Sequence, residues 1–329
     1  MWLKNDLPPI HLTGAPIPRV NLAGLADTMR RLAKAGRRDF YEGEVARVLA
    51  HDIGTAGGVL STDDLAQYRA RVIEPTRFVY RGNAIAGGPQ LTAGPTLEDV
   101  LTNLGRERFG ARPDAAFFVA LARALEGAYD QRLKSMGDVE RLDASTTHVT
   151  AVDRDGMMVA LTTTLLSSFG SRFVSPSTGI LMNNGIMWFD PRPGLPNSLV
   201  PAKRPLCNMC PVILARDGRP WLAAGASGGR RIVAAVTQLL SFVVDFGLDA
   251  AAAAHQPRID VSGTGTINTD PRLTPKIVAA LRKAGNLAEV EHVAYPINYA
   301  CPNIIVRRPD GEWEGISDVM SPSSGAVAA

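Results

Sequence analysis

Three short runs, two of threonine, serine and glycine and one of paired cysteines, carry the chemistry available to this chain. The first is Ser145-Thr146-Thr147-His148-Val149-Thr150, followed by Asp153-Arg154-Asp155-Gly156. A threonine hydroxyl is a weak nucleophile at neutral pH unless a base stands beside it. If the Ser145–Thr146 bond is cut, Thr146 carries its own base, an α-amine titrating near pH ~8. The following residues supply a partner. Asp at the first turn position and Gly at the fourth predict a type I turn closed by a left-handed glycine. That turn pairs Asp153 with Met157, and counting back along the ladder sets Thr146 opposite Thr164. Cβ atoms of such a pair lie roughly 5 Å apart, so one hydroxyl can orient the other. Taken alone, the hairpin is read more readily as an ordinary Thr-rich strand pair, because Thr is a good strand former.

The second run is Gly225-Ala226-Ser227-Gly228-Gly229, between an apolar strand and an apolar helix. Glycines there let backbone N–H groups point at an anion, aided by the helix dipole. The anion is an oxyanion in a hydrolase or a phosphate in a nucleotide binder, and a tight packing turn is an equal alternative. No Gly-Lys-Ser/Thr follows, so this is not a P-loop. Asp245 has the spacing of a ribose acid, but 230–246 reads as one helix, which does not suit a dinucleotide fold. The third run, Cys207-Asn208-Met209-Cys210, is a lone CxxC. Zinc needs further ligands, Cys301 is distant, and a strand rather than a helix follows, so neither metal nor redox chemistry is expected. His148 and His255 are read as structural, with His148 facing away from Thr146. Lys203-Arg204 either holds an acidic substrate or anchors the proline-rich loop before it.

The elements that must position these runs follow from periodicity. Leu22, Leu25, Met29 and Leu32 form a helical stripe stopped by Gly36, and Val45, Val48, Leu49 and Ile53 form a second. Ser61 and Asp64 predict a capping box. A strand is expected over 72–80, helices over 94–104 and 113–133, and a polar linker over 134–145. Beyond the hairpin come a strand end at 180–184, strands at 212–214 and 221–224, a helix over 230–246, and a strand at 303–307. Blocks of helices around antiparallel strands give an α+β layered fold. The 329 residues, 46% of them hydrophobic, suffice for one large or two ordinary domains. A net charge of +3 with scattered arginines is no nucleic-acid footprint, and three cysteines make no disulfide framework. No run of about 18 apolar residues spans a membrane, and no signal peptide is visible, so the expected location is cytoplasmic, or periplasmic if the true N-terminus lies upstream.

Together these segments resemble the γ-glutamyltransferase family of N-terminal-nucleophile hydrolases. The matching text is Thr146-Thr147-His148, the 153–156 turn, Thr162-Thr163-Thr164-Leu165 leading to Phe169-Gly170, and Thr178 through Asn184. Lys203-Arg204-Pro205-Leu206 and Gly225 through Ile232 extend it. Phe40-Tyr41-Glu42-Gly43, Asp63-Asp64-Leu65 and Tyr68 match more weakly. The resemblance implies a four-layer αββα sandwich, self-cleavage between Ser145 and Thr146, and pairing of a large subunit (1–145) with a small one (146–329). It implies Thr146 as nucleophile and, through its amine, base. It further implies Thr164 as orienting hydroxyl, Gly228 and Gly229 as oxyanion hole, no cofactor and no metal. The expected partners are a small-molecule amide and a water or amine acceptor, with neither nucleic acid nor membrane.

The departures from the family pattern concern the substrate. Glutathione-cleaving members carry Asn where this chain has Leu166, paired aspartates where it has Met187-Trp188, and Ser-Ser where it has Cys207-Asn208. Those residues hold the ammonium and carboxylate of a γ-glutamyl group, and an ammonium desolvated without a carboxylate costs several kcal/mol. The expectation is an amidohydrolase for simple acids, resembling the oxamate-amidohydrolase or cephalosporin-acylase branches. Leu166 and Trp188 would be apolar walls, with Arg204, Cys207 and Asn208 around the acyl group. The alternatives are a glutathione hydrolase or transpeptidase, and an inactive remnant that only binds a partner. Family precursors carry over a hundred further residues before the segment matching 21–36. A sandwich incomplete at its N-terminus is therefore expected, from a fragment, a split gene or a shortened relative.

Overall fold

A computed structural model describes residues 23–136, 145–291, 299–322 and 324–328. It forms two compact units, 1–72 with 169–184, and 73–168 with 185–329.

In the first unit, α1 (Ala23–Ala35) and α3 (Glu44–Thr55) follow the two predicted stripes, apart from Leu22, which lies outside the described residues; α4 (Thr62–Gln67) follows the predicted cap, and the short α2 (Asp39–Glu42) was not expected. The Ser61–Asp64 capping box forms in both directions. Buried Asp52 on α3 holds the 175–178 turn. It accepts from Ser175 Oγ, and from Ser177 through its N–H at 3.0 Å and its hydroxyl at 2.9 Å. The strand expected at 180–184 does not form. An isolated bridge between Val174 and Leu181 takes its place, because side-chain bonds from Ser175 and Thr178 curl the backbone.

The second unit is built on β1 (Thr76–Tyr80), β2 (Asn83–Gly87), β3 (Ser145–Val152), β4 (Met158–Leu166), β5 (Val212–Arg216) and β6 (Arg219–Ser227). The helices among and after them are α5 (Gly94–Gly105), α6 (Ala115–Ser135), α7 (Ile232–Val244) and α8 (Ala250–His255). Then come β7 (Ile259–Asp260), β8 (Ile267–Thr269), α9 (Pro275–Ala284), β9 (Leu287–Glu289), β10 (Cys301–Arg307) and β11 (Trp313–Ser317). Strands pair in the order β1-β2-β5-β6-β10-β11, all antiparallel. β1 begins at Thr76 rather than 72, since Pro75 lacks the N–H a ladder needs. The helix expected over 230–246 starts as a 3-10 turn at Gly229–Arg231. The small β7-β8-β9 sheet was not expected, because strands of two or three residues have no readable period. Most of the 134–145 linker lies outside the described residues.

The main sheet is covered on both faces. Leu222, Ala224 and Ala226 of β6 join the core with Val236, Leu239 and Leu240 of α7, and with Leu97, Leu121 and Leu125 from α5 and α6. The β3–β4 hairpin packs across the other face, against β5, β6 and β10. β6 is accordingly buried without alternation from Trp221 to Ala226. This is an α+β fold in which helix, sheet and sheet stack as three of the four αββα layers.

Candidate active site

The hairpin turn forms as its residues predict. Asp153 N–H donates to Met157 O at 3.1 Å, Gly156 N–H donates to Asp153 O at 3.1 Å, and Gly156 has φ 86°. The resulting register sets Thr146 opposite Thr164. Thr146 Oγ1 donates to Thr164 Oγ1 at 3.1 Å, and Leu166 N–H donates to the same oxygen at 2.9 Å. The ladder then slips: Ser145 pairs with Leu166, so Leu165 is an extra residue on β4 at the Ser145–Thr146 bond. Leu166 is buried with φ 75°, a strained conformation for leucine. No feature of the sequence marks this bulge. Bulges of this kind re-aim side chains beside active sites.

His148 does not face away from Thr146. Strand side chains alternate with period two, so residues 146, 148 and 150 share a face. Thr146 and Thr150 are half-buried and His148 is buried, whereas Thr147 and Val149 are exposed. The imidazole Nδ1 lies 2.7 Å from Thr162 Oγ1, while Nε2 is buried with no hydrogen-bond partner. Burial lowers its pKa to about 4, so the ring is neutral. The ring lies against Gly225, where an added Cβ would stand 2.1–2.6 Å from ring atoms. Asn303 of β10 completes the docking, donating to His148 O at 2.7 Å and accepting from Thr150 Oγ1 at 2.9 Å. Gly225 lies three residues before Gly228, so this packing ties the threonine strand to the glycine turn.

Gly228 has φ 139° and Gly229 φ 61°, and a Cβ at Gly228 would lie 2.6 Å from Ala300 Cα. The turn therefore needs glycine for conformation and for space. Asp245 holds structure rather than a ribose: it accepts from Tyr80 Oη at 2.6 Å and Arg81 Nε at 2.8 Å.

Residues 206–210 run into β5, whose Val212 pairs with Ala224 of antiparallel β6. The entry to β5 and the exit of β6 at Gly228 thus share one end of the sheet. Cys207 N–H donates to Leu91 O at 2.8 Å and Ala93 N–H to Met209 O at 3.0 Å, which keeps this run extended. Trp188, half-buried in the 3-10 turn Gly185–Trp188, is linked to it through Asn197. That side chain donates to Trp188 O at 2.6 Å and accepts from Leu206 N–H at 2.9 Å. Lys203 anchors the proline-rich loop through Pro196 O at 2.5 Å and Ser198 O at 3.2 Å, while Arg204 is exposed. Burial raises the Cys207 thiol and pushes Cys210 up to about 12, which disfavours thiolate chemistry. No metal-binding group of His, Cys, Asp or Glu occurs among the described residues. No helix of the described residues is long and apolar enough to cross a membrane.

Arg132 was missed from the sequence. It is buried and donates to Thr92 O, Thr96 Oγ1, Cys207 O and Asn208 Oδ1 at 2.7–3.2 Å. The signal was available: Arg132 continues the apolar stripe Phe118, Leu121, Leu125, Tyr129 along α6 at helical spacing. A cavity of about 720 Å³ lined by residues of α5 and α6 contains none of these site residues.

The chain is 28% identical to the glutathione hydrolase proenzyme of Escherichia coli (strain K12), over 91% of this chain and 60% of that protein. It is also 28% identical to the acylase ACY 1 proenzyme of Pseudomonas sp. (strain SE83), with the same coverage. Cephalosporin acylase from Bacillus halodurans superposes with a TM-score of 0.82 at 26% identity, covering 92% of this chain and 63% of the other. The chain thus spans about 60% of the length of these curated relatives. The sequence profile described as gamma-glutamyltranspeptidase matches residues 15–145 and 140–328. The profile covers most of the chain and the fold agrees with it, so the chain belongs to the gamma-glutamyltranspeptidase family.

Proposed function

We propose that the chain is a self-processing amidohydrolase that cleaves an amide of a small acid through an acyl ester on Thr146. The observation that carries the reading is the 3.1 Å bond from Thr146 Oγ1 to Thr164 Oγ1 at the register slip. In the uncut chain the Thr146 nitrogen is an amide and cannot act as a base. Attack of Thr146 Oγ on the Ser145 carbonyl would move the acyl group from nitrogen to oxygen, breaking the peptide bond and freeing the α-amine; water would then hydrolyse that ester, leaving a carboxylate on Ser145 and a free hydroxyl on Thr146, and giving a large subunit of residues 1–145 and a small subunit of residues 146–329. That amine would then take the hydroxyl proton as Oγ attacks a substrate carbonyl, and pass it to the leaving amine. Water would release the acid, or an amine acceptor would take the acyl group as a new amide, in either case restoring the Thr146 hydroxyl. Thr164 would orient the hydroxyl, and the N–H groups of Gly228 and Gly229 would stabilise the oxyanion. The names of the two curated relatives, both called proenzymes, support processing.

Leu166 and Trp188 offer apolar surface where an α-ammonium would need a carboxylate, which favours acyl groups lacking an amine. Glutathione hydrolysis is the second reading, favoured by the name of the Escherichia coli relative. One assay separates the two. On purified chain, glutaryl anilide should be cleaved at least about ten times faster than γ-glutamyl anilide, a difference of ~1.4 kcal/mol. Preference for the γ-glutamyl compound would install the second reading. Gly229→Pro, which deletes one oxyanion donor, should lower the rate by ~10²–10³. Normal turnover by a folded, processed Gly229→Pro protein would refute the oxyanion assignment.

A further inference from the structure

A hydrogen bond from a distant helix reaches the glycine turn. Tyr129 of α6 donates its phenol hydroxyl to Arg230 O, 101 residues away in sequence. The tyrosine is fully buried, and burial raises its pKa, so the phenol stays protonated and acts as a donor. Close packing holds the ring in place. Gly263, with φ 78°, lies so near α6 that a Cβ there would stand 3.3 Å from Tyr129 Cβ and 2.8 Å from Leu133 Cδ1. The hydroxyl is therefore a fixed point on a 21-residue helix.

The Arg230 carbonyl begins a chain of peptide groups. In a trans peptide the C=O and N–H are coplanar and point in opposite directions. Fixing Arg230 O therefore fixes the direction of the Arg231 N–H. That N–H donates to Gly228 O at 3.3 Å. Gly228 O belongs to the same peptide group as the Gly229 N–H, which must then point out of the turn. The 3.3 Å bond is long, and both glycines have positive φ, where backbone freedom is widest. The turn thus depends on support from outside its own sequence, and the phenol supplies it. Aligned hydrogen bonds also polarise one another, which makes the outward N–H a better donor.

We propose that Tyr129 is a positioning residue whose hydroxyl pins the Arg230 carbonyl and thereby aims the Gly229 N–H as an oxyanion donor. This rests on the assignment of Gly229 to the oxyanion hole of the Thr146 site and adds the group that orients it. Tyr129 acts through the turn and on no reacting atom.

Tyr129→Phe deletes the hydroxyl and keeps the ring. Amide hydrogen exchange, followed by mass spectrometry on the purified parent and variant, reads the turn whether or not the chain turns over. Exchange in the peptide holding Gly229 and Arg231 should quicken at least about tenfold in Tyr129→Phe, as loss of local protection does, while β10 and β11 exchange as in the parent. Replacing Tyr129 with 4-aminophenylalanine, which keeps a donor at the same place, should restore protection. Replacing it with 4-fluorophenylalanine, which fills the space without donating, should not. In glutaryl anilide hydrolysis Tyr129→Phe should lower kcat about tenfold and leave KM unchanged, because the oxyanion forms only after binding. The loss is smaller than the ~10²–10³ for deleting a donor outright, since the N–H is loosened and not removed. Unchanged exchange in Tyr129→Phe, equal exchange in the amino and fluoro variants, or a raised KM with unchanged kcat overturns the proposal. Should Tyr129→Phe fail to fold, the amino and fluoro pair decides. If the parent cleaves no anilide but exchange responds as stated, the acyl-transfer reading fails and Tyr129 stands as the pin of the turn.

Discussion

The two faces of the β3–β4 hairpin are inverted relative to an ordinary sheet. The face turned to β6 is polar and covered: Thr146, His148 and Thr150 on one strand, Thr162 and Thr164 on the other. The opposite face carries Val149, Val159 and Leu161, each at least half exposed. An amphipathic hairpin built for stability alone would bury the apolar set. Burying hydroxyls and an imidazole instead needs a hydrogen bond for nearly every polar atom, and the inner face supplies most of them. The lesson is that polar contacts with β6 and β10, rather than burial of the apolar set, decide which face of this hairpin packs inward. The inner face is where substitutions should be costly, and the outer face where they should be mild.

The largest contrast is between adjacent threonines. Thr146→Ala should remain a single band of about 35 kDa and lose at least ~10⁴ of activity, as nucleophile deletions do. Thr147→Ala, one residue along and on the exposed face, should process and turn over like the parent. Cleavage that persists in Thr146→Ala would remove Thr146 from the role. A Thr147→Ala protein as dead as Thr146→Ala would collapse the two-face picture.

Gly225→Ala probes the seam between hairpin and sheet. Its new methyl would drive into the His148 ring. A loss of ~3 kcal/mol in denaturant unfolding is expected, together with loss of activity, because the ring cannot move without dragging β3. Unchanged stability would mean that the hairpin is free to lift.

The imidazole itself gives a pH signature. The folded pKa of about 4 lies below the ordinary 6.5, so the fold favours the neutral ring. Its contribution is complete above pH 6.5 and is lost as pH falls toward 4, amounting to ~3 kcal/mol at most. The melting temperature of the parent should therefore fall across that window more steeply than that of His148→Asn. Parallel curves would show that His148 is solvated. The mildest change is on the outside. Val159→Thr and Leu161→Thr should each shift stability by less than ~0.5 kcal/mol, as exposed substitutions do. Larger losses would show that further polypeptide covers this face.

Local physical chemistry is what the chain alone determined here. The 153–156 turn residues dictated a loop length, the loop length dictated the register, and the register dictated which hydroxyls meet, because hairpin geometry depends only on neighbours in sequence. The helical stripes and the Ser61 cap were legible for the same reason, and the α+β class followed from their order. Tertiary structure decided what depends on residues distant in sequence. It placed Gly225 under His148, slipped the ladder at Leu165, and brought Arg132 of α6 to Asn208 before β5, some seventy residues on. Such contacts arise from how layers stack, and no periodicity within one segment encodes which distant segment will lie against it.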